Sequence, residues 1–373
     1  MAGLQAQHES VTQLLMTTGS LTASEFSAAI LDWYDANARQ LPWRISPADK
    51  AVGVCPDPYH VWLSEIMLQQ TTIPHATRYF LDFTQRWPSV EALAAASRDE
   101  VMNAWAGLGY YSRARNLHAC AQIVAEMGGF PETAKELIKL PGIGPYTSGA
   151  IAAIAFDEAA PAVDGNVERV TTRYLAMTRP LKEIKSEIKS IVTDWVPDER
   201  PGDFAQAMMD LGATVCTPKS PDCLLCPLMS SCEGRKQGIA ASLPNKGEKK
   251  AKPIRKGQVY ISVQNGVLLA ERRMDKGLLA GTLGLPTSDW VEVSADSIDK
   301  QVHSAPGDAK HLGQVEHVFT HFRLLLDVFE VRKEIAESAI VSGQPEYVPE
   351  LESGTAGFPS VFRKALNCYL SPA

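Results

Sequence analysis

The sequence contains no uninterrupted apolar run long enough to cross a bilayer, so we expect no membrane-spanning helix and no membrane partner. Its first residues lack a basic region followed by an apolar core, so we expect no secretory signal and a cytoplasmic protein, associated with the nucleoid in a bacterium. Basic residues are not in excess either, because the formal net charge is −7, which argues weakly against a nucleic-acid partner. One segment departs from this balance, since residues 217–256 hold nine Lys or Arg against three Asp or Glu.

The N-terminal half is organised around the stretch from Leu140 to Asn166. Gly142 and Gly144 flank one isoleucine between two helical patterns, and glycine permits positive φ and close approach of another backbone. The free amides at the start of the second helix favour an anion, most simply a phosphate. Farther on, Asp164 or Asn166 is expected to cap the next helix. The alternative is that this is only a turn followed by an ordinary cap.

Glu65 lies within a helical pattern from Tyr59 to Thr72 and has Val61, Trp62 and Leu68 as its helical neighbours. A carboxylate on an apolar face is an exception to the usual exposure of charge. Desolvation would raise its pKa, so that it could carry a proton near neutral pH. A glutamate at the edge of the stripe, or one paired with a buried arginine, is the alternative.

A second glycine-rich loop, from Gly107 to Arg113, contains two glycines, two tyrosines and a basic residue. Such a loop suits the insertion of an aromatic side chain such as Tyr110 into stacked bases. Half-buried packing of the tyrosines is the alternative.

Four of the seven cysteines fall within seventeen residues with the spacing C-x6-C-x2-C-x5-C: Cys216, Cys223, Cys226 and Cys232. In a chain of this length, such clustering indicates a metal or iron–sulfur site and not a secreted disulfide framework. Four thiolates in a compact loop favour one 4Fe–4S cluster. Tetrahedral zinc is the alternative, although only one C-x-x-C pair is present.

The pattern changes after a basic, proline-containing segment. Residues before Cys232 show no strand pattern, whereas Gln258–Gln264 and Val267–Arg272 flank an Asn-Gly pair, which predicts a β-hairpin. We expect another long strand within Glu316–Arg332 and a closing helix over Phe358–Leu370. The fold class is therefore multidomain, with an all-α half followed by an α+β domain.

Several motifs in this order resemble the adenine DNA glycosylases, the MutY family of helix-hairpin-helix glycosylases. The matching segments are Leu41–Arg44 (LPWR), Val61–Thr71 (VWLSEIMLQQT), Gly107–Arg113 (GLGYYSR), Leu140–Thr147, Val163–Val170 (VDGNVERV), Gln206–Leu211 (QAMMDL) and the four cysteines. The resemblance covers about residues 24–330.

This resemblance implies a repair enzyme that removes adenine mispaired with 8-oxoguanine or guanine in double-stranded DNA. It implies a catalytic acid, a carboxylate that stabilises the oxocarbenium-like sugar, and a tyrosine beside the sugar, here Glu65, Asp164 and Tyr146. The other implied positions are Trp43, Arg44 and Gln206 for the adenine pocket, Gln70, Thr71, Tyr110, Gly142, Gly144 and Asn166 for DNA, and Phe319, Thr320 and His321 for the lesion.

Two positions refine the expectation. Endonuclease III relatives carry a lysine two residues after the second glycine of the motif, where this chain has Tyr146, so a water-using, monofunctional enzyme is implied. The family's Phe-Ser-His loop reads Phe-Thr-His here, and the added methyl of Thr320 is expected to alter lesion discrimination. The rival hypotheses are a glycosylase/lyase acting on oxidised pyrimidines and a non-enzymatic iron–sulfur protein that binds DNA or transfers electrons.

The expected domain organisation combines these arguments, and a monomer is expected. Residues 1–22 form a flexible arm, 23–241 an all-α catalytic half with a six-helix module and an iron–sulfur module, 242–256 a basic linker, and 257–373 a Nudix-like lesion-recognition domain. We find no Glu-rich Nudix box, so pyrophosphate hydrolysis is not expected.

Overall fold

The computed structural model describes residues 21–247, 251–274, 277–294, 304–340, 343–349 and 357–370. The chain forms two compact units, one made of Met1–Val101 and Arg115–Lys249 and the other of Met102–Ala114 and Lys250–Ala373. The short segment 102–114 therefore groups with the second unit, whereas the sequence places it in the helical half. The predicted arm lies almost entirely outside the described residues. Within those residues, no helix is both long and apolar enough to span a membrane.

The described part of the chain before residue 250 is helical. Its α-helices are α1 (Ala23–Asn37), α2 (Pro47–Ala51), α3 (Pro58–Leu68), α4 (Ile73–Arg86), α5 (Val90–Ala95), α6 (Arg98–Ala104), α7 (Ser112–Met127), α8 (Ala134–Leu137), α9 (Pro145–Phe156), α10 (Gly165–Tyr174), α11 (Leu181–Trp195), α12 (Pro201–Thr214) and α13 (Glu233–Lys236). Short 3₁₀ turns lie at Cys223–Leu225 and Ala240–Ser242.

Local sequence explains where these helices begin. Thr22 and Glu25 form a capping box at α1, and Asp57 caps α3 ahead of a proline in its first turn. Helices α1, α10, α11 and α12 then bury a shared apolar core. Phe26 stacks on Trp195 at that core, with ring centroids 3.9 Å apart.

Glycines on α12 allow its neighbours to approach closely. A Cβ at Gly202 would lie 2.4 Å from the carbonyl oxygen of Ala153 on α9, and one at Gly212 would lie 2.5 Å from the Cβ of Asn166 on α10. Both are far inside normal contact distance, so any other residue would push these helices apart. This close packing sets the positions of the three helices that carry much of the candidate site.

The predicted helices are present, but some of them begin or end at other residues than the sequence predicts. Helix α3 ends at Leu68 and not at Thr72, because Gln70 has a φ of +59° and lies in a turn. The connection between α1 and α3 contains the short helix α2, which is capped by Ser46. Gly142 has the expected positive φ of +78°, whereas Gly144 has a φ of −97° and is extended.

The described residues of the second unit form two four-stranded sheets. Its elements after residue 250 are β1 (Ile254–Ile261), β2 (Val263–Gln264), β3 (Val267–Arg272), β4 (Leu283–Gly284), β5 (Val291–Val293), β6 (Lys310–Val318), β7 (Arg323–Glu330), α14 (Lys333–Ser338), β8 (Gln344–Pro349) and α15 (Ser360–Leu370). One sheet has the order β5-β1-β7-β6, with β1 and β7 parallel, and in the other β3 pairs with β2, β4 and β8. Helix α15 packs against the first sheet over an apolar core.

The predicted hairpin is confirmed, since Asn265 and Gly266 both have positive φ between β2 and β3. Strand β1 begins at Ile254, inside the segment assigned to the linker. The long strand predicted within Glu316–Arg332 is confirmed as β7, although the end of β6 and a turn occupy the start of that range. The chain reverses where the amide of Phe319 donates to the carbonyl of Phe322, and β6 and β7 pair antiparallel on either side. Strand-like residues on both sides hide this turn from a periodicity argument.

Candidate active site

A cleft of about 460 Å³ opens in the first unit. Helices α3, α9, α10 and α12 and the connection after α1 all contribute to its walls. The sequence-predicted residues that line it are Trp43, Arg44, Glu65, Gln70, Thr71, Tyr146, Asp164, Asn166 and Gln206. The fold therefore brings together residues that are up to 163 positions apart in the chain (43 to 206).

Glu65 projects from α3 and is only 8% exposed, so the burial expected from its apolar helical setting is observed. Burial raises the pKa of its carboxyl to about 7, and the negative charge of Asp164 acts in the same direction. A hydrogen bond from Tyr146 and the positive charge of Arg44 oppose this rise. The side chain therefore exchanges a proton near neutral pH, as a general acid and base must.

Asp164 is the N-cap of α10, which decides between the two capping candidates. Its Oδ1 accepts hydrogen bonds from the amides of Asn166 and Val167, both at 2.8 Å. Its Oδ2 accepts from the side-chain amide of Asn166 at 2.6 Å. Burial raises the pKa of Asp164, and these hydrogen bonds oppose the rise. The result is a carboxylate fixed in orientation at the edge of the cleft.

Tyr146 lies in the first turn of α9, directly beyond the glycine turn. Its hydroxyl donates to the Sδ of Met209 at 3.3 Å and also hydrogen-bonds Glu65. Burial, followed by the negative charges of Glu65 and Asp164, holds the pKa of the phenol well above its usual range. Tyr146 is therefore a neutral hydrogen-bonding group close to the carboxyl groups of Glu65 and Asp164.

The three residues predicted for the adenine pocket lie in the cleft wall. Trp43 is almost fully buried and meets Phe80 edge to face at 5.2 Å between ring centroids. Gln206 projects from α12 and is 5% exposed. The guanidinium of Arg44 donates to the Oδ2 of Asp210 at 2.7 Å.

Sequence reasoning missed several residues of this region. Arg39 and Met209 line the cleft, and Asp210 binds both Arg39 and Arg44 from behind its wall. Asp210 follows Gln206 by one helical turn on a buried face of α12. The argument that singled out Glu65 does not find it, because two of its helical neighbours, Gln206 and Thr214, are polar.

The remaining DNA and lesion positions lie elsewhere. Gly142 and Gly144 precede α9 and do not line the cleft. In the second unit, the hydroxyls of Tyr110 and Thr320 lie 3.4 Å apart, and both side chains are exposed, as is His321. Phe319 is partly buried between Trp290 and Phe322, at ring-centroid distances of 6.0 and 4.8 Å. Phe319 is thus part of an aromatic stack, and Thr320 and His321 are the accessible residues of the turn.

The four clustered cysteines line one small cavity together with Arg173. Arg173 donates to the Sγ of Cys216 at 3.4 Å and to the carbonyl of Thr217 at 2.7 Å. In the described ranges, no three His, Cys, Asp or Glu side chains converge in a way that holds a single metal ion.

The cysteine loop is also bound to α10. Arg169 donates to the carbonyl of Cys216 at 2.7 Å and to the Oδ1 of Asn166 at 2.8 Å. Because Asn166 in turn donates to Asp164, a continuous set of hydrogen bonds joins the loop to the N-cap of α10.

Comparison with known proteins shows which families the two parts of the chain resemble. Residues 63–197 match the HhH-GPD superfamily of base excision DNA repair proteins, and residues 258–368 match the NUDIX domain. The adenine DNA glycosylase of Homo sapiens is 34% identical over 99% of this chain and 79% of its own length. The adenine DNA glycosylase of Buchnera aphidicola subsp. Schizaphis graminum is 35% identical over 82% of this chain and 86% of its own length.

A thermostable thymine-DNA glycosylase of known structure resembles the helical half. Its TM-score is 0.50 at 27% identity, over 57% of this chain and 95% of that one. The helical fold with its carboxylate-lined cleft thus defines a helix-hairpin-helix glycosylase of base excision DNA repair. Within that class, the chain belongs to the adenine DNA glycosylase family, since the similarity extends over most of both chains. The resemblance drawn from the sequence motifs is confirmed.

Proposed function

We propose that this enzyme removes adenine paired with 8-oxoguanine, or with guanine, from double-stranded DNA by hydrolysis alone. The observation that carries the proposal is the grouping of Glu65, Tyr146 and Asp164 in one cleft, with no lysine among the residues that line it within 21–247. A glycosidic bond inside a duplex is inaccessible, so the target nucleotide has to leave the stack and enter this cleft.

The first chemical step assigns Glu65 as the acid. Adenine is a poor leaving group until a ring nitrogen is protonated, and a carboxyl whose pKa is about 7 is neutral often enough to give that proton. Proton donation of this kind contributes roughly 10²–10⁴-fold to the rate. The C–N bond then breaks, and its electron pair leaves with the protonated base.

The second step assigns Asp164 as the electrostatic stabiliser. Departure of the base leaves positive charge on the sugar, and a fixed carboxylate beside it lowers that barrier. Its orientation is held by the hydrogen bonds from Asn166 and Val167. Glu65, now ionised, accepts a proton from the attacking water, and the product is an abasic site in an intact strand.

Recognition is divided between the two units in this proposal. Trp43, Arg44 and Gln206 hold the extruded adenine, and Gln70, Thr71 and the turn at Gly142 and Gly144 contact the duplex. Thr320 and His321 read the opposite base, supported by their exposure at the β6–β7 turn.

We also propose one 4Fe–4S cluster on Cys216, Cys223, Cys226 and Cys232. The four thiols line one cavity, and the guanidinium of Arg173 donates to the Sγ of Cys216 at 3.4 Å. Four thiolates in a compact loop suit a 4Fe–4S cluster, and only one C-x-x-C pair is present, whereas zinc sites favour paired C-x-x-C units. Such a group would fasten the cysteine loop.

The decisive experiment is a glycosylase assay on duplexes with adenine opposite 8-oxoguanine, guanine or thymine, each read with and without alkali. We expect excision opposite 8-oxoguanine and guanine, with strand breaks only after alkali. Excision of an oxidised pyrimidine with strand cleavage in neutral buffer would support a glycosylase/lyase instead.

A further inference from the structure

Asp210 is a fully buried carboxylate on α12 that accepts three hydrogen bonds. Its Oδ1 accepts from the Nε of Arg39 at 2.7 Å, and the Nη2 of Arg39 lies 2.6 Å from the same oxygen as an ion-pair contact. Its Oδ2 accepts from the backbone amide of Arg39 at 3.1 Å and from the Nη1 of Arg44 at 2.7 Å. One carboxylate thus binds two arginines and a main-chain group of the same segment.

The position of Asp210 separates it from direct substrate contact. Arg39 and Arg44 line the cleft, as do Gln206 and Met209 from α12, but Asp210 does not. It lies behind the wall that these side chains form. A role in binding or catalysis would therefore have to act through the arginines.

The segment that carries the arginines needs such an anchor. Helix α1 ends at Asn37, and residues 38–44 contain no helix or strand. An arginine side chain loses rotamer freedom when it is held in one geometry. A buried bidentate carboxylate provides both the charge and the fixed direction that offset this loss.

Charge balance supports the same role. Burial opposes ionisation of Arg44, yet its bond to Asp210 outweighs that effect and raises the pKa of Arg44. Burial likewise favours the neutral form of Asp210, but Arg44 and Arg39 lower its pKa. The result is a pair of charged guanidinium groups in the wall that also contains Glu65.

We propose that Asp210 is a positioning residue for base recognition, which holds the guanidinium groups of Arg39 and Arg44 at the cleft as fixed hydrogen-bond donors for an extruded adenine. The inference rests on the proposed function, because adenine presents ring nitrogens as acceptors and a guanidinium only donates. Asp210 acts mainly through Arg44, whose side chain is the more buried of the two arginines.

The same helix provides a matched control. Asp203 is also buried in α12 and also pairs with two basic side chains, Arg200 at 2.8 Å and Lys50 at 4.0 Å. Neither of these partners lines the cleft. Replacing either aspartate by asparagine removes a buried charge from α12, but only Asp210→Asn frees arginines at the cleft.

The test measures single-turnover excision of adenine opposite 8-oxoguanine and affinity for a duplex with an abasic site, in which the base pocket stays empty. We expect Asp210→Asn to slow excision on the order of 10–100-fold, because small misplacements of substrate-binding groups have effects of this size. Abasic-site affinity should stay within about threefold, and Asp203→Asn should change both quantities by less than about threefold.

A double-mutant cycle tests whether Asp210→Asn slows excision through Arg44. In an Arg44→Ala background, the additional Asp210→Asn penalty should shrink to less than about threefold. If the asparagine variant does not fold, Asp210→Ser removes the charge without placing an amide NH₂ against the guanidinium groups, and the same criteria apply.

Three results would overturn the inference. The first is an excision rate of Asp210→Asn close to that of the native enzyme. The second is an equal loss of excision rate in Asp203→Asn. The third is an Asp210→Asn effect on the excision rate that is as large in the Arg44→Ala background as in the native enzyme. If the native enzyme does not excise adenine, both the proposed function and this inference are overturned. If the native enzyme excises adenine and Asp210→Asn does so at the same rate, only the inference is overturned.

Discussion

The hydroxyl of Tyr146 hydrogen-bonds the carboxyl of Glu65 inside the cleft, and this bond works against the burial that raises the pKa of Glu65. Without the phenol, the carboxyl would be harder still to ionise. The two opposing influences leave the pKa of Glu65 at about 7, where both its acid and its base forms are accessible. The pair therefore sets the protonation state on which the proposed acid step depends.

Glu65→Gln should fold and bind mispaired DNA but excise adenine roughly 10²–10⁴-fold more slowly, because the amide cannot donate a proton to the base. Single-turnover cleavage with excess enzyme checks this, with duplex affinity measured on the same preparation. Glu136→Gln serves as the control, since Glu136 is exposed and pairs only with Lys139 on the surface. Near-native cleavage by Glu65→Gln would contradict the assignment of Glu65 as the acid.

The excision rate should follow a bell-shaped pH profile. Glu65 is protonated below its pKa of about 7, so the rate should fall about tenfold per pH unit well above that value. On the acid side, the rate should fall as Asp164, whose pKa burial raises, takes up a proton and loses its charge. Single-turnover rates between pH 4 and 9 provide the measurement, and a rate that still rises above pH 8 would argue against Glu65 as the proton donor.

The free energy of unfolding should also depend on the titration of Glu65, and the shift of its pKa fixes the direction of that dependence. The folded state holds a proton on Glu65 between the ordinary pKa of 4.5 and about 7, whereas the unfolded chain does not. The free energy of unfolding should therefore decrease as pH rises through this window, by up to about 3 kcal/mol. Glu65→Gln should remove this loss, so its Tm relative to the native enzyme should be higher at pH 8 than at pH 5. Equal Tm differences at both pH values would contradict the burial of the charge.

Glu65 and Asp164 were accessible from sequence because each has a local signal. One is a carboxylate on an apolar stripe, and the other is a capping residue beyond a glycine turn. The pairing of Arg39 and Arg44 with Asp210 was not accessible, because it joins residues at least 166 positions apart. Helical periodicity reports which face of α12 is buried, but it does not report which residue of another segment lies opposite.

The second unit likewise has one turn that the sequence predicts and one that it does not. The Asn-Gly pair encodes its turn locally, since both residues adopt positive φ. The reversal at Phe319–Phe322 has no glycine or proline, and it is stabilised by a ring stack with Trp290, nearly thirty residues away (319 − 290). Side-chain packing of this kind has no signal in a window of neighbouring residues.

The purified enzyme should be brown, absorb visible light and contain about four irons per chain, because four thiolates around one cavity suit a 4Fe–4S cluster. Cys226→Ser should lose iron and expression yield, whereas Cys55→Ser, at an exposed cysteine outside the cavity, should keep both. Metal analysis and the absorption spectrum check the prediction. A colourless, zinc-containing and fully active enzyme would refute it.

The enzyme should release adenine without cutting the strand, and the reason lies at Tyr146. Strand cleavage by β-elimination requires an amine that condenses with the opened sugar, and a phenol cannot form that imine. Borohydride should therefore trap no protein–DNA adduct with the native enzyme. Tyr146→Lys should create a trappable adduct, because residue 146 lines the same cleft as Glu65 and Asp164. A strong native adduct that disappears on mutation of one lysine would reveal a lyase residue elsewhere. A Tyr146→Lys variant that still excises adenine but never traps would show that position 146 does not face the sugar.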